Sequence, residues 1–180
     1  MRPGREVGRQ ALGVLVALAL DAEAIDSLFE SDVEAHGIRS ALTIAIVAGA
    51  MTARTLVRHG THKVVIANRT YRRGATLAEH LGVSAIHFNH VPEAIAETDI
   101  VICASGSPTA LIQRETLEGA METRYGRPLL LIDIAVPRDI DPACRELDGV
   151  SHYDVDEVPA IVERNASGRK AETRRAAGIL

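Results

Sequence analysis

The amino-acid sequence predicts an α/β fold, a doubly wound parallel sheet of about six strands covered by helices. From about residue 42 onwards, short apolar runs alternate with helical segments, which is the order that joins parallel strands through helices. Aromatic residues make up only 3% of the chain and Trp is absent, so we expect an aliphatic core of the kind that buries a parallel sheet. The 180 residues are enough for one substantial domain.

The first half of this alternation contains three strands and three helices. Its strands are short apolar runs, and its helices end at a glycine or begin near a proline. The strands are predicted at residues 42–47, 63–67 and 84–88, and the helices at residues 51–59, 71–81 and 92–97. Thr70 is the expected N-cap of the second helix, and Gly82 is expected to end that helix.

The second half repeats the pattern and adds a helical extension. The strands are predicted at residues 100–103, 129–134 and 150–153, and the helices at residues 114–124, 142–147 and 155–167. The helix at residues 114–124 is expected to bury Leu117, Ala120 and Met121, which share one of its faces.

The amino-terminal residues allow two interpretations. Arg2, Arg5 and Arg9 precede an apolar run at residues 11–20, and Ala22-Glu23-Ala24 is similar to a cleavage site, so residues 1–24 have features of an export signal. The alternative is a helix with one apolar face, formed by Val7, Ala11, Val14, Leu15 and Leu18. The run is too short to span a bilayer. We favour the helix, because the rest of the chain is typical of a cytosolic α/β domain.

Charge and cysteine content exclude several classes of function. The net charge of −4 offers no general attraction to nucleic acid or to an anionic membrane. Cys103 and Cys144 stand in no metal-binding or redox spacing, and no adjacent base would activate them, so we expect two reduced thiols and no catalytic cysteine. No metal site is expected either, because the histidines lack ligand spacing and are expected at the surface: His59, His62, His80, His87 and His90.

A ligand is expected where the winding of the sheet reverses. In a sheet of strand order 3-2-1-4-5-6, a crevice opens at the carboxyl ends of strands one and four. The loops predicted there are Ala48-Gly49-Ala50 and Ala104-Ser105-Gly106-Ser107, whose small residues would let a phosphate or ribose approach the backbone. Gly49 would also lead into a helix whose free N–H groups favour a pyrophosphate.

The glycine fingerprint of dinucleotide-binding proteins is incomplete in this chain. The pattern G-x-G-x-x-G would fall on Val47, Ala48, Gly49, Ala50, Met51 and Thr52. Gly49 alone is retained, at the position that lets the backbone approach the pyrophosphate. This motif is therefore weak evidence when it is taken alone.

The end of the second predicted strand carries a stronger indication. Enzymes that use NAD usually place a carboxylate here to hold the ribose 2′-hydroxyl. This chain has Asn68, Arg69 and Thr70 instead, and the guanidinium of Arg69 suits the 2′-phosphate of NADPH. Asp133 ends a buried strand at the same edge, where a role in the site and a structural hydrogen bond are both open. Aspartates and arginines further along are interpreted as turn and capping residues: Arg138, Asp139, Asp141, Arg145 and Asp148.

Several of these segments resemble one known family. They are residues 65–70 (VIANRT), 99–102 (DIVI), 105–108 (SGSP), 126–142 (GRPLLLIDIAVPRDIDP) and 153–156 (YDVD). Together they resemble the NADPH-binding, Rossmann-type domain of glutamyl-tRNA reductase over about residues 42–165. The run at residues 126–142 is specific to that family, whereas the Asn-Arg-Thr element also occurs in shikimate dehydrogenases.

The resemblance implies a function and a set of cofactor contacts. The family reduces the glutamyl group of glutamyl-tRNA to glutamate-1-semialdehyde for tetrapyrrole (porphyrin) biosynthesis, using NADPH and a cysteine of an N-terminal domain. Carried over, residues 47–52 would form the dinucleotide loop, and residues 68–70 would hold the adenosine ribose phosphate. Ser105, Gly106 and Ser107 would line the cofactor crevice. No segment resembles the family's cysteine motif, so we assign no catalytic residue.

The domain organisation follows from this resemblance. We expect an N-terminal helical segment at residues 1–41, an NADP-binding domain at residues 42–154, and a C-terminal helix and tail at residues 155–180. The chain is expected to be cytoplasmic and to work with a separate catalytic domain or a full-length reductase, without binding tRNA itself. Two alternatives stay open, namely a non-catalytic NADP-binding or docking remnant and an oxidoreductase domain of shikimate-dehydrogenase type.

Overall fold

Six parallel strands form one sheet in the computed structural model, which describes residues 13–18, 41–61, 63–105 and 107–157. The strands are β1 (Gly13–Leu18), β2 (Lys63–Asn68), β3 (Ser84–His87), β4 (Ile100–Ala104), β5 (Leu129–Asp133) and β6 (Val150–Asp154). Their order across the sheet is β3-β2-β1-β4-β5-β6, with every neighbouring pair parallel. This result confirms the predicted doubly wound, Rossmann-like sheet and its strand order.

Helices cover both faces of the sheet. They are α1 (Ala41–Arg58), α2 (Tyr71–Leu81), α3 (Val91–Glu97) and α4 (Arg114–Glu122), with short 3₁₀ turns at Phe88–His90 and Pro142–Glu146. Alternate residues of β1 point to opposite faces. Val14 and Val16 therefore pack in one apolar cluster with α1 and α2, whereas Leu15 packs in the other with α3 and α4.

Local predictions for α2 are confirmed, and those for the buried face of α4 are confirmed except at Met121. Thr70 stands at the N-cap of α2, although its side chain makes no capping hydrogen bond, and Gly82 ends the helix in the left-handed region at φ 66°. That conformation favours glycine because a side chain would be strained there. In α4, Leu117 and Ala120 are buried as predicted, whereas Met121 is only partly buried.

The prediction of the first strand is wrong. Residues 42–47, expected as β1, lie inside helix α1, and the central strand is formed by Gly13–Leu18. Short apolar runs fit a strand or a buried helix equally well, so pairing within the sheet decides between them. Residues 41–58 contain no proline and a single glycine, which weakens a helix by about 1 kcal/mol without ending it.

The predicted N-terminal helix is also wrong over the residues that the structure describes. Gly13–Leu18 hydrogen-bond as a strand to β2 on one side and to β4 on the other, so they belong to the sheet and not to a separate segment. The rest of residues 1–24 lies outside the described residues. At the other end, residues 155–157 form a turn instead of the start of a helix, and the remainder of the predicted extension lies outside the described residues.

Arg124 holds the corner at which α3 leads into β4. Its guanidinium is fully buried and donates to five main-chain carbonyls, those of Ile95, Ala96, Thr98, Arg127 and Pro128. Asp99 lies beside it, accepts a hydrogen bond from the Gly13 N–H at 3.0 Å, and pairs with Arg127 at 2.7 Å. These contacts fix the amino edge of the sheet, the edge at which its strands begin.

Across the parts of the chain that the structure describes, no helix is both long and apolar enough to cross a membrane.

Candidate nucleotide-binding site

The predicted crevice lies at the carboxyl edge of the sheet, the edge at which its strands end. Leu18, the last residue of β1, is paired with Asn68 of β2 on one side and with Ala104 of β4 on the other. The chain winds from β1 towards β3 in one direction and from β4 towards β6 in the other, so this is where the winding reverses. Open α/β sheets bind ligands at such a point.

Arg69 and Ser107 meet across this edge. The Nη2 group of Arg69 donates a hydrogen bond to the Ser107 Oγ at 3.0 Å. Because β1 lies between β2 and β4, this hydrogen bond joins the segments that follow the two strands on either side of β1. Two residues that the sequence predicts for cofactor binding are thus brought into direct contact. In the described part of the chain, the remaining guanidinium N–H groups of Arg69 meet no protein acceptor.

Asn68 and Thr70 shape the turn that presents Arg69. The Asn68 side chain is buried, and its Nδ2 donates to the Thr70 carbonyl at 2.9 Å. Gly74 of α2 packs directly on Asn68, since a Cβ at residue 74 would lie 2.8 Å from the Asn68 Cβ. Arg69 and Thr70 are exposed. Asn68 therefore fixes the turn, while Arg69 and Thr70 face the solvent side of the crevice.

Two residues that follow β4, Ser105 and Ser107, are hydrogen-bonded to the buried side chain of Asp139. Ser105 donates to the Asp139 carboxylate through its N–H and through its Oγ, each at 2.6 Å, and the Ser107 N–H approaches it at 3.4 Å. All three residues are buried. Burial raises the pKa of Asp139 above its ordinary value, although the hydrogen bonds from Ser105 oppose this shift. Gly106 lies outside the described residues.

Asp133 supports Asp139 in turn. One Asp133 oxygen accepts from the N–H groups of Asp139 and Ile140 at 2.9 and 3.0 Å, and the other accepts from Ala135 at 3.0 Å. Of the two roles left open by the sequence, the structure therefore shows the structural one for Asp133. The peptide bond between Val136 and Pro137, within the same turn, is cis.

Asp139 was missed as a site residue because its sequence context resembles an ordinary turn. Its contacts with Ser105 join residues that are 34 positions apart. The signal available in the sequence was that Asp139 and Asp141 closely follow the apolar strand β5 at the ligand-bearing edge.

Tyr71 and His87 were also not predicted to lie at this edge. Their rings stack at a centroid distance of 4.0 Å beside the turn that carries Arg69, where they form a flat aromatic rim.

Residues 47–52 do not form the loop predicted for them. They lie within α1, where each amide N–H is directed to the carbonyl four residues earlier and is no longer free for a phosphate. The Thr52 hydroxyl likewise donates to the Ala48 carbonyl at 2.7 Å. The loop prediction is wrong as secondary structure, and contact of these residues with a nucleotide stays a prediction.

The segment after β6 is tied to the sheet by ion pairs. Arg145 pairs with Asp154 at 3.1 Å and with Glu157 at 2.6 Å, and Arg138 pairs with Asp156. The hydrogen bond from Arg145 lowers the pKa of Glu157 below its ordinary value. Arg138 and Arg145 thus anchor this segment, in addition to the turn and capping roles expected for them.

Neither cysteine is suited to nucleophilic chemistry. Cys103 and Cys144 are free and buried, as expected of reduced thiols. Burial raises the pKa of Cys103 far above its ordinary value and that of Cys144 to about 11, so both stay protonated near neutral pH. The described residues contain no group of three or more His, Cys, Asp or Glu that could hold a metal ion. Of the histidines expected at the surface, His59, His80, His87 and His90 are exposed as predicted, and His62 lies outside the described residues.

Comparison with known proteins finds one matching family model and relatives that are named glutamyl-tRNA reductase. The family model described as shikimate/quinate 5-dehydrogenase matches residues 34–161. A glutamyl-tRNA reductase from Maridesulfovibrio salexigens is 40% identical over 147 residues, which are 82% of this chain and 34% of that protein. The chain spans about a third of the length of the curated relatives it matches.

Solved structures agree with the sequence matches. The glutamyl-tRNA reductase from Methanopyrus kandleri superposes with a TM-score of 0.64 at 26% identity, over 95% of this chain and 37% of that one. The quinate dehydrogenase from Corynebacterium glutamicum, solved in complex with NAD, shares the fold with a TM-score of 0.51 at 17% identity, over 79% of this chain and 44% of that one. The chain therefore belongs to the family described as shikimate/quinate 5-dehydrogenase, as a Rossmann domain of the type found in glutamyl-tRNA reductases.

Proposed function

We propose that this chain is the NADPH-binding module of a glutamyl-tRNA reductase, the enzyme that forms glutamate-1-semialdehyde for tetrapyrrole biosynthesis. The observation that carries the proposal is the position of Arg69. It follows β2 at the carboxyl edge and donates a hydrogen bond to Ser107, which follows β4. A carboxylate at this place would favour the ribose 2′-hydroxyl of NADH, whereas a guanidinium favours the 2′-phosphate of NADPH.

The residues at this edge fit the adenosine end of NADPH. Arg69 keeps donor groups that meet no acceptor among the described residues, and Thr70 adds an exposed hydroxyl beside it. Each hydrogen bond to a charged group contributes about 1.5–3 kcal/mol, so one or two of them decide the choice of cofactor. Tyr71 and His87 offer a flat surface close to where the adenosine would lie. When bound, NADPH supplies the hydride for the reduction.

The polar contacts are expected to come chiefly from the turn at Arg69 and the loop at residues 105–107. The helical position of residues 47–52 supports this distribution, because their backbone amides are used within α1. Gly49 and its neighbours stay candidates only for contacts made through side chains or through close packing of the helix.

We propose that the reducing module works with a catalytic domain that carries the thioester-forming cysteine. The buried, protonated state of Cys103 and Cys144 supports this division of labour. The relatives are about three times the length of the matched region, which also accords with further domains. Direct binding of tRNA by this chain is not expected, and we place the protein in the cytoplasm, where reduced thiols are normal.

Calorimetric titration of the chain with NADPH and with NADH tests the cofactor assignment. We expect NADPH to bind more tightly, and Arg69→Ala to weaken NADPH binding by about tenfold or more while NADH binding changes little. Arg58→Ala is the matched control, because Arg58 is exposed at the end of α1 that lies near the amino edge of the sheet. Equal affinity for the two nucleotides, or an equal loss for both in Arg69→Ala, would contradict the assignment.

The description of the family model favours a second candidate, an oxidoreductase of shikimate-dehydrogenase type. A direct assay separates the two, since this candidate predicts NADP⁺ reduction when shikimate or quinate is added to the chain. The helical state of residues 47–52 favours a third candidate, a remnant that docks on a reductase without binding cofactor. A folded chain that binds no nucleotide yet co-purifies with a full-length reductase would support that candidate.

A further inference from the structure

Asp139 places a buried carboxyl group beside the loop after β4, and none of the cofactor contacts above uses it. Its side chain is fully buried, and a carboxylate in such a place is costly unless donors surround it. The donors are the N–H and Oγ of Ser105 and the N–H of Ser107. Three donors from these two serines converge on one carboxylate, so Ser105 and Ser107 have little freedom to move relative to Asp139.

The same loop holds the guanidinium that we assign to cofactor choice. The Ser107 N–H is directed towards both the Asp139 carboxylate and the Ser105 Oγ, while the Ser107 Oγ accepts the hydrogen bond from Arg69. A continuous set of hydrogen bonds therefore runs from Asp139 through Ser105 and Ser107 to Arg69. Asp133 fixes the far end, because it binds the N–H of Asp139 itself.

Asp139 forms no ion pair with Arg69 within the described residues. This indirect arrangement matters, because a carboxylate bonded directly to the guanidinium would occupy the donors that a phosphate needs. A neutral hydroxyl holds the guanidinium in place and leaves its charge available. A long arginine side chain that is already held loses less conformational freedom when the anion arrives.

We propose that Asp139 is a positioning residue for cofactor preference: it fixes Ser105 and Ser107, so that Ser107 holds Arg69 ready for the 2′-phosphate. The proposal rests on the proposed NADPH function. It assigns to Asp139 an effect on the choice between NADPH and NADH and not on nucleotide affinity in general. The ring, ribose and pyrophosphate are common to both cofactors, so only contacts with the 2′-phosphate separate them, and the contact assigned to Arg69 is the charged one among them.

The test measures the ratio of NADPH affinity to NADH affinity by calorimetry on the full chain. Asp139→Asn keeps the shape of the side chain and removes its charge, and Ser107→Ala removes the acceptor for Arg69. We expect each to lower the ratio by about three- to tenfold, through weaker NADPH binding. Asp148→Asn and Ser151→Ala are matched controls at exposed positions away from this edge, and they should leave the ratio unchanged.

A double-variant comparison separates positioning from general stabilisation. If Asp139 acts through Arg69, then adding Asp139→Asn to Arg69→Ala should not change the ratio further. Equal weakening of both nucleotides by Asp139→Asn, or an additional fall of the ratio in the Arg69→Ala background, would overturn the proposal. If Asp139→Asn does not fold, Ser107→Ala provides the test. An unchanged ratio of NADPH to NADH affinity in Ser107→Ala would show that Ser107 does not position Arg69, and it would overturn the proposal.

Failure of this inference is distinguishable from failure of the proposed function. A wild-type chain that prefers NADPH through Arg69, with a ratio insensitive to Asp139 and Ser107, overturns only the positioning role. A folded wild-type chain that binds neither nucleotide, or binds both equally, overturns the positioning role together with the NADPH assignment.

Discussion

Gly74 in α2 stands so close to Asn68 at the end of β2 that a Cβ at residue 74 would lie 2.8 Å from the Cβ of Asn68. Real Cβ atoms essentially never come so near to another atom, and Asn68 cannot move aside because it is buried and bonded to the Thr70 carbonyl. The glycine therefore lets α2 begin directly over the turn that presents Arg69.

Replacing Gly74 should destabilise the protein. We expect Gly74→Ala to lower the free energy of unfolding by about 1–3 kcal/mol, because the new methyl group overpacks the contact with Asn68. Thermal unfolding followed by circular dichroism measures the effect. Gly119→Ala is the control, since Gly119 is an exposed helical glycine whose added methyl group would meet no atom within 4 Å. This variant should raise the free energy of unfolding by about 0.5–1 kcal/mol. Equal stability of the Gly74→Ala variant and the wild type would contradict the close approach.

Removing the buried arginine at the amino edge should have a larger effect. Arg124→Met keeps an apolar side chain of similar length but leaves several buried carbonyls without their charged donor. We expect a loss of about 3–5 kcal/mol in the free energy of unfolding by urea. Arg127→Met is the comparison, because the Arg127 side chain is 44% exposed, whereas that of Arg124 is buried, and its pair with Asp99 should contribute at most about 1 kcal/mol. Losses of similar size in the two variants would argue against a special role for Arg124.

The carboxylate of Asp99 should make stability depend on pH in the acid range. Burial raises its pKa, but the hydrogen bonds from Arg127 and from the Gly13 N–H outweigh burial, so its pKa lies below the ordinary value of 3.8. A lowered pKa in the folded state stabilises the protein above the unfolded value, and this contribution is lost as the pH falls through the folded pKa. Asp99→Asn should therefore lose stability at neutral pH and show a shallower decline on acidification, measured by urea unfolding at a series of pH values. A parallel decline in both proteins would refute this account.

The thiols should resist alkylation in the folded chain. Because burial keeps Cys103 and Cys144 protonated, and the thiolate is the reactive form, iodoacetamide near pH 8 should leave both unmodified. Mass spectrometry after a timed reaction measures the modification, and the same reaction in denaturant provides the control in which both cysteines react. Rapid modification of either cysteine under native conditions would contradict the burial of these thiols.

The elements with local signals could be predicted from the sequence. Helix α2 illustrates this, since its first and last residues follow from Thr70 and from Gly82, whose left-handed conformation ends the helix. The alternation of apolar runs and helices likewise predicts the parallel sheet and its strand order from β2 onwards. In these segments, neighbouring residues contain the information that decides the structure.

The central strand and the support behind the site could not be predicted in this way. Two apolar runs, at residues 11–20 and 42–47, compete for the central position, and contacts such as the Gly13 N–H with Asp99, 86 residues away, decide the outcome. Asp139 presents the same difficulty, since its partner Ser105 lies 34 residues earlier. Only the folded chain shows that Asp139, which resembles an ordinary turn aspartate in the sequence, binds Ser105 and Ser107.

The strand formed by Gly13–Leu18 has a consequence for how the sheet can assemble. Among the described strands it is the one that pairs with both halves of the winding, and it comes from the amino-terminal end of the described chain. The family match begins only at residue 34, after this strand. A protein trimmed to that match would keep both halves yet leave β2 and β4 as bare edges facing each other, each a template for pairing with a second molecule. Self-association, and not simple loss of cofactor binding, is thus the outcome expected when this short segment is missing.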